Sequence, residues 1–236
     1  MLNKLYKCYL PLMLVLLLNA ASGHAQELTQ RKNRLTDSVT EVYQTYKENK
    51  NIMHGLYQAL YKKSTPVASG MYNKNVRVGI WRFFDSKGRL IETYDYDNKE
   101  LKFEGREDIT SALRYFVDRD LDSTAKVTKP IKIGGRYYGY IPYLRLFTLP
   151  RDLSDINKNI FSAVVELLVS PYGRLADYKV HLVAPNFERV INMNTHLPDP
   201  ADMVFTPATL NGEGISCRIM IKAYITDDGH LDFDNE

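Results

Sequence analysis

The chain closes on an alternation. From Ile215 to Ile225 the odd positions are Ile, Cys, Ile, Ile, Ala and Ile, with Ser216, Arg218, Met220, Lys222 and Tyr224 between them. A period of two puts the apolar row on one face of a sheet. Phe161 to Val169 shows the same period, with Ala163, Val165, Leu167 and Val169 on one side. Ser170-Pro171-Tyr172-Gly173 supplies a turn with Pro early and Gly last, as a type I turn prefers. Leu175 to Val183 then returns antiparallel, with Tyr178, Val180 and Leu182 toward the core. Asn186 is placed to cap a short helix presenting Phe187, Val190 and Ile191. Leu197-Pro198-Asp199-Pro200 forces a loop, Val204-Phe205 starts a short run, and Asn211-Gly212 marks a reversal before the last strand. Strands with a segregated helix predict an α+β arrangement around an antiparallel sheet.

The first half has a different rhythm. Gly55-Leu56-Tyr57-Gln58-Ala59-Leu60 matches Gly79-Ile80-Trp81-Arg82-Phe83-Phe84 without a gap, at a spacing of about 24 residues. In the same register Val67 falls on Ile91, Tyr72 on Tyr96 and Asn75 on Lys99. Ser86-Lys87-Gly88-Arg89 and Tyr72-Asn73-Lys74-Asn75 are turn material between short alternating runs. Each unit reads as a β-hairpin, and a lone hairpin cannot bury an aromatic face, so successive units must stack. Residues 36–48 are rich in β-formers and read as the strand of a partial first unit.

Between these regions, Asp108 is an N-cap for a helix running to about Asp120, with Ile109, Leu113, Phe116 and Val117 at helical spacing. Asp122 to Lys129 is polar and marks a boundary. Ile131 to Phe147 carries Tyr137, Tyr138, Tyr140 and Tyr143 between Arg136 and Arg145, and Pro142 assigns it to an edge strand or a loop. Aromatics interleaved with Arg are the chemistry that stacks bases or sugars; packed strand residues are the expected reading here.

The N-terminus adds a compartment. Lys4 and Lys7, the apolar run Leu10 to Leu18 and the small residues of Gly23-His24-Ala25 form an export signal with cleavage expected after Ala25. The run is shorter than a membrane-spanning helix needs, so no stable span is expected after cleavage. Losing Lys4 and Lys7 lowers the formal charge from +3 to about +1, which argues for no nucleic-acid partner. Cys8 lies in the signal, leaving Cys217 as the one mature cysteine, so no internal disulfide is possible and a buried thiol is expected. Phosphate-loop, hydrolase-elbow, His-Glu-x-x-His and Cys-x-x-Cys motifs are missing, and no catalytic residue, metal ligand or cofactor is expected. The acidic run Asp227 to Glu236 reads as a solvated tail after a Gly turn.

Two resemblances sharpen this reading. Val78-Gly79-Ile80-Trp81-Arg82-Phe83-Phe84, Gly88-Arg89-Leu90-Ile91-Glu92 and Tyr96-Asp97-Asn98-Lys99 resemble MORN-type repeats of the YwqK-like variant, over about residues 40–101. Tyr57 stands in the first unit where the repeat carries Trp, and the equivalent of Gly88 is missing from that unit. Val164-Val165-Glu166-Leu167, Tyr172-Gly173-Arg174-Leu175, Lys179-Val180, Phe205-Thr206-Pro207-Ala208, Asn211-Gly212 and Ile219-Met220-Ile221 are similar to the C-terminal domain of the TonB family, over about residues 149–225. Phe205 replaces that family's Trp, and its Asp-x-Ala helix motif is not legible in 186–194. The second resemblance implies a domain that binds receptors by sheet-edge pairing.

The expected fold is therefore α+β, mostly β: stacked hairpin repeats, then a TonB-C-like antiparallel sheet with one or two short helices. The expected divisions are a signal peptide over 1–25, a repeat region over 26–104, a helix and linker over 105–129, and a TonB-like domain with an acidic tail over 130–236. The expected function is that of an exported, non-enzymatic envelope protein of a Gram-negative cell, periplasmic, outer-membrane-associated or secreted, which binds envelope proteins. The contact residues expected are Arg218, Met220, Lys222 and Tyr224 on the final strand, with Trp81 from the repeats. A membrane-retained energy-transducer component is the second reading. A carbohydrate-binding protein or hydrolase built on Tyr137 to Tyr143 is the third.

Overall fold

The computed structural model describes residues 27–107 and 111–234, so the export segment and Asp108 to Thr110 lie outside the described residues. The chain is mostly antiparallel β, as the alternation predicts. Seven strands form one consecutive meander: β1 (Leu28–Arg34), β2 (Val39–Tyr46), β3 (Met53–Tyr61), β4 (Thr65–Asn73), β5 (Val76–Phe84), β6 (Leu90–Asp95) and β7 (Glu100–Glu104). The turn between β4 and β5 is two residues long, Lys74 and Asn75, both at positive φ. That is the twist-matched hairpin geometry.

The glycines that open the two matching segments share a conformation. Gly55 and Gly79 sit at positive φ, each where the register with the preceding strand slips. A glycine tolerates this backbone and lets the bulge re-aim the next residues. Two positions on, Tyr57 and Trp81 turn inward and are buried. Gly70, opposite Trp81, leaves the room: a Cβ there would fall inside the indole ring.

The second sheet contains β8 (Leu113–Phe116), β9 (Ser162–Val169), β10 (Leu175–Ala184), β11 (Phe187–Asn192), β14 (Cys217–Ile225) and β15 (Leu231–Phe233), in the order β11-β10-β9-β14-β15 with β8 also beside β14. A small separate hairpin joins β12 (Ala208–Leu210) to β13 (Glu213–Ile215). Between the sheets lies a helical layer, a 3-10 turn at Tyr138–Tyr140 running into α1 (Ile141–Leu146). Tyr138 stacks on Phe83 of the first sheet at 5.8 Å between centroids, Tyr137 on Phe233 of the second at 4.5 Å, and Tyr143 meets Tyr178 edge-on at 5.7 Å. One apolar core thus runs from Val39 to Phe233 through all three layers.

Four expectations are corrected. Leu113–Phe116, placed on a helix by its spacing, is a strand, and the proposed cap at Asp108 falls outside the described residues. Its Leu113 points into the core beside Ile221, and the strand supplies β14 with a neighbour. Phe187–Asn192 is a strand as well. Pro185 and Asn186, the latter at φ 59°, form a tight turn between Ala184 and Phe187, so Asn186 turns a hairpin and caps nothing. Ile141–Leu146 is helical because Pro142 falls in its first turn, where a missing N–H costs nothing. The acidic run is solvated only in part, with Asp227 and Asp228 exposed. Its Gly229 turn is present, but Leu231–Phe233 then pairs with β14 and is buried, Asp232 included.

Candidate partner-binding surface

β14, expected to be the chain's last strand, is followed by β15 and lies inside the sheet. One edge of β14 pairs with β9 from Cys217 to Ala223. The other pairs with β8 at Arg218 to Ile221 and with β15 at Ala223 to Ile225. Cys217, Ile219, Ile221, Ala223 and Ile225 face the core, as the alternation requires. The Cys217 thiol is buried and its pKa is pushed up to about 11 by burial, which keeps it protonated and unreactive.

Arg218, Met220, Lys222 and Tyr224 are therefore brought together in one row on the outer face. Trp81 does not join them. It is fully buried in the first sheet, its indole N–H donates to the Met71 carbonyl at 3.2 Å, and Arg77 lies 5.1 Å over its ring. The Tyr137 to Tyr143 cluster is likewise interior: Tyr137, Tyr140 and Tyr143 are buried, and the Tyr178 hydroxyl donates to the Tyr143 carbonyl. Those rings are closed to a sugar or a base.

The rest of the outer face comes from strand register. Glu166 lies opposite Lys179 on one side and Met220 on the other. His181 Nε2 is 2.7 Å from Glu166 Oε2, and Arg218 Nε is 3.3 Å from Glu166 Oε1. Arg218 also grips Asp118 with both terminal nitrogens, each at 3.0 Å. Around this network stand exposed apolar side chains: Phe116 beside Arg218, Val190 beside His181, and Val183 farther along. Tyr224 is 38 % exposed, and its cross-strand neighbour Asp232 accepts the Ser38 N–H at 2.7 Å. The face mixes exposed apolar side chains with paired charges. Sequence reasoning missed Phe116 and Val190 because both were placed on helices; Glu166 and His181 were missed because opposition across strands is not a sequence spacing.

No family model, curated protein or solved structure matches this chain.

Behind the face, two buried polar ties fix the layers. The Glu92 carboxylate of β6 accepts the backbone N–H of Gly134 at 2.8 Å and of Gly135 at 3.2 Å. Burial pushes its pKa up to about 7, with those two hydrogen bonds pulling the other way. Lys132 is buried beside Asp202, 3.6 Å away, and donates to the Ala201 carbonyl at 2.7 Å. Burial lowers the lysine's pKa and raises the aspartate's. Among the described residues no three His, Cys, Asp or Glu side chains gather as a metal site, and no helix is long and apolar enough to cross a membrane.

Proposed function

We propose that the chain is an exported, non-enzymatic interaction module of the cell envelope whose contact surface is the outer face of the second sheet. The observation that carries this is the uncovered face itself. An antiparallel sheet with one solvated face normally alternates apolar-in with polar-out. Here Phe116, Val183, Val190 and Tyr224 remain exposed on the outer side, with half-buried Met220 among them. Apolar side chains ringed by charges are how protein-binding patches differ from ordinary surface.

Docking is by the face and not by the edge of the final strand. With β8 and β15 along one edge of β14 and β9 along the other, an added strand finds no unpaired backbone there. Receptor coupling by strand addition at β14 loses its template, which favours a scaffold role over an energy-transducer role.

The test uses Met220→Lys with Phe116→Lys, two surface changes that leave the inward row intact. Affinity isolation of the mature protein from envelope extract should recover a saturable partner that the double variant loses at unchanged circular dichroism. Equal recovery by both proteins would remove the outer face as the contact surface. Sequencing the mature N-terminus addresses export: Gln26 as first residue supports the exported form, and an intact Met1 contradicts it.

A further inference from the structure

A cleft opens between the end of the first sheet and the edge of the second, away from the centre of the outer face. It encloses about 720 Å³ and is lined by Leu90 and Phe103 from the first sheet and by Leu113 and Phe233 from the second. That volume suits a bound ligand. Leu90 and Phe103 are each more than 40 % exposed, so the floor is apolar and open to solvent.

Its charges are one-sided. The carboxylates in the lining each have a cation: Asp85 takes Arg89 at 2.6 Å, Asp234 takes Lys222 at 2.6 Å, and Glu107 takes Lys129. Lys87, Arg106 and Arg114 also line the cleft, all exposed, and among the described residues none lies within 4.0 Å of a carboxylate. The wall that carries Arg106 is fixed, since Arg136 donates to the Gly105 and Arg106 carbonyls at 2.9 Å each. Beside it, β7 pairs among the described residues with β6 alone, so its outer edge presents backbone groups without a strand partner there.

We propose that this cleft binds an acidic peptide segment in extended form. Its backbone runs along the free edge of β7, its carboxylates meet Lys87, Arg106 and Arg114, and its apolar side chains rest on Leu90 and Phe103. Strand addition supplies the main-chain hydrogen bonds and the cations select the side chains. The cleft adjoins the outer face, with Lys222 and Arg114 at their shared margin; Lys87 and Arg106 lie beyond that margin, so changing those two tests the cleft separately.

The experiment is fluorescence anisotropy with the mature chain and a labelled twelve-residue peptide alternating Asp with Val. A matched peptide with Lys for Asp and vesicles of phosphatidylglycerol serve as comparisons. Among the described residues the Lys87 and Arg106 side chains make no hydrogen bond or ion pair, so Lys87→Glu with Arg106→Glu is the main variant. Arg82→Glu, on the outer face of the first sheet, is the charge control. The acidic peptide should bind in a salt-sensitive way, weaken at least tenfold in the double variant and be unaffected by Arg82→Glu, while the double variant gains binding to the Lys peptide. No binding of the acidic peptide, equal binding of the Lys peptide to the unmodified protein, equal loss in Arg82→Glu, or binding of vesicles without the peptide would each overturn the proposal.

Discussion

Trp81 and Gly70 are a single device made of two residues. The indole fills the space a side chain on Gly70 would need, and Tyr57, Tyr72, Phe83 and Tyr96 surround it at 5.2 to 6.0 Å between centroids. Trp81→Ala should cost about 3–5 kcal/mol, as large-to-small changes at buried aromatics do. Gly70→Val should destabilise too, because overpacking displaces the ring. Urea melts of both variants check this; a Gly70→Val midpoint equal to that of the unmodified chain would show that the ring has room to move. Glu92 makes a prediction of opposite character. Its folded pKa, about 7, lies above the usual 4.5, so between those values the folded form holds a proton that the unfolded form has released. Its contribution is full below about 4.5 and is lost as pH rises toward 7, with a slope of at most about 1.4 kcal/mol per pH unit. In Glu92→Gln this part of the pH dependence should vanish in thermal melts across that window. Cys217 should resist alkylation in the native protein and react once the chain is unfolded, because its thiol faces the core.

At the scale of elements, β8 decides how the second sheet closes. Pairing Arg114 with Met220 across β8 and β14 places those residues directly opposite. Arg114→Cys with Met220→Cys, in a Cys217→Ser background, should form a disulfide under mild oxidation; no cross-link would favour a helix at 113–116. This element also shows where sequence reading stops. Strands with strict alternation, such as those ending at Val169 and Ile225, were legible because one face of each is buried along its whole length. The Gly-x-aromatic segments were legible because a bulge glycine and an inward ring leave a fixed spacing. Leu113, Phe116 and Val117 fit helical spacing only by chance of composition, and their strand is set by a vacant edge that no local pattern records. Leu231–Phe233 was hidden for the same reason: acidic neighbours made it look solvated, while Asp232 is buried accepting the Ser38 N–H at 2.7 Å. For the contact surface, the outer row of β14 could be read from alternation. Its partners across β8, β9, β10 and β11 depended on register and could not.

The whole molecule is held by one core shared among two sheets and the helical layer between them. Tyr57 exemplifies the coupling: its hydroxyl donates to Glu41 at 2.9 Å within the first sheet and meets the Tyr138 hydroxyl of the helical layer at 2.7 Å. A chain cut after Glu104 would expose Tyr57, Trp81 and Phe83 to water and should not fold alone, whereas the mature chain should unfold in a single transition seen alike by tryptophan fluorescence and far-ultraviolet circular dichroism. A core that faces inward from both sheets leaves their outer faces open to solvent, and the face of the second sheet is the contact surface we propose. Site-specific photo-crosslinking in living cells tests that directly. A photoreactive residue at Met220 should yield a discrete protein adduct, and the same residue at Met71, exposed on the first sheet, should not. Adducts of equal yield at both positions, or none at Met220, would contradict it.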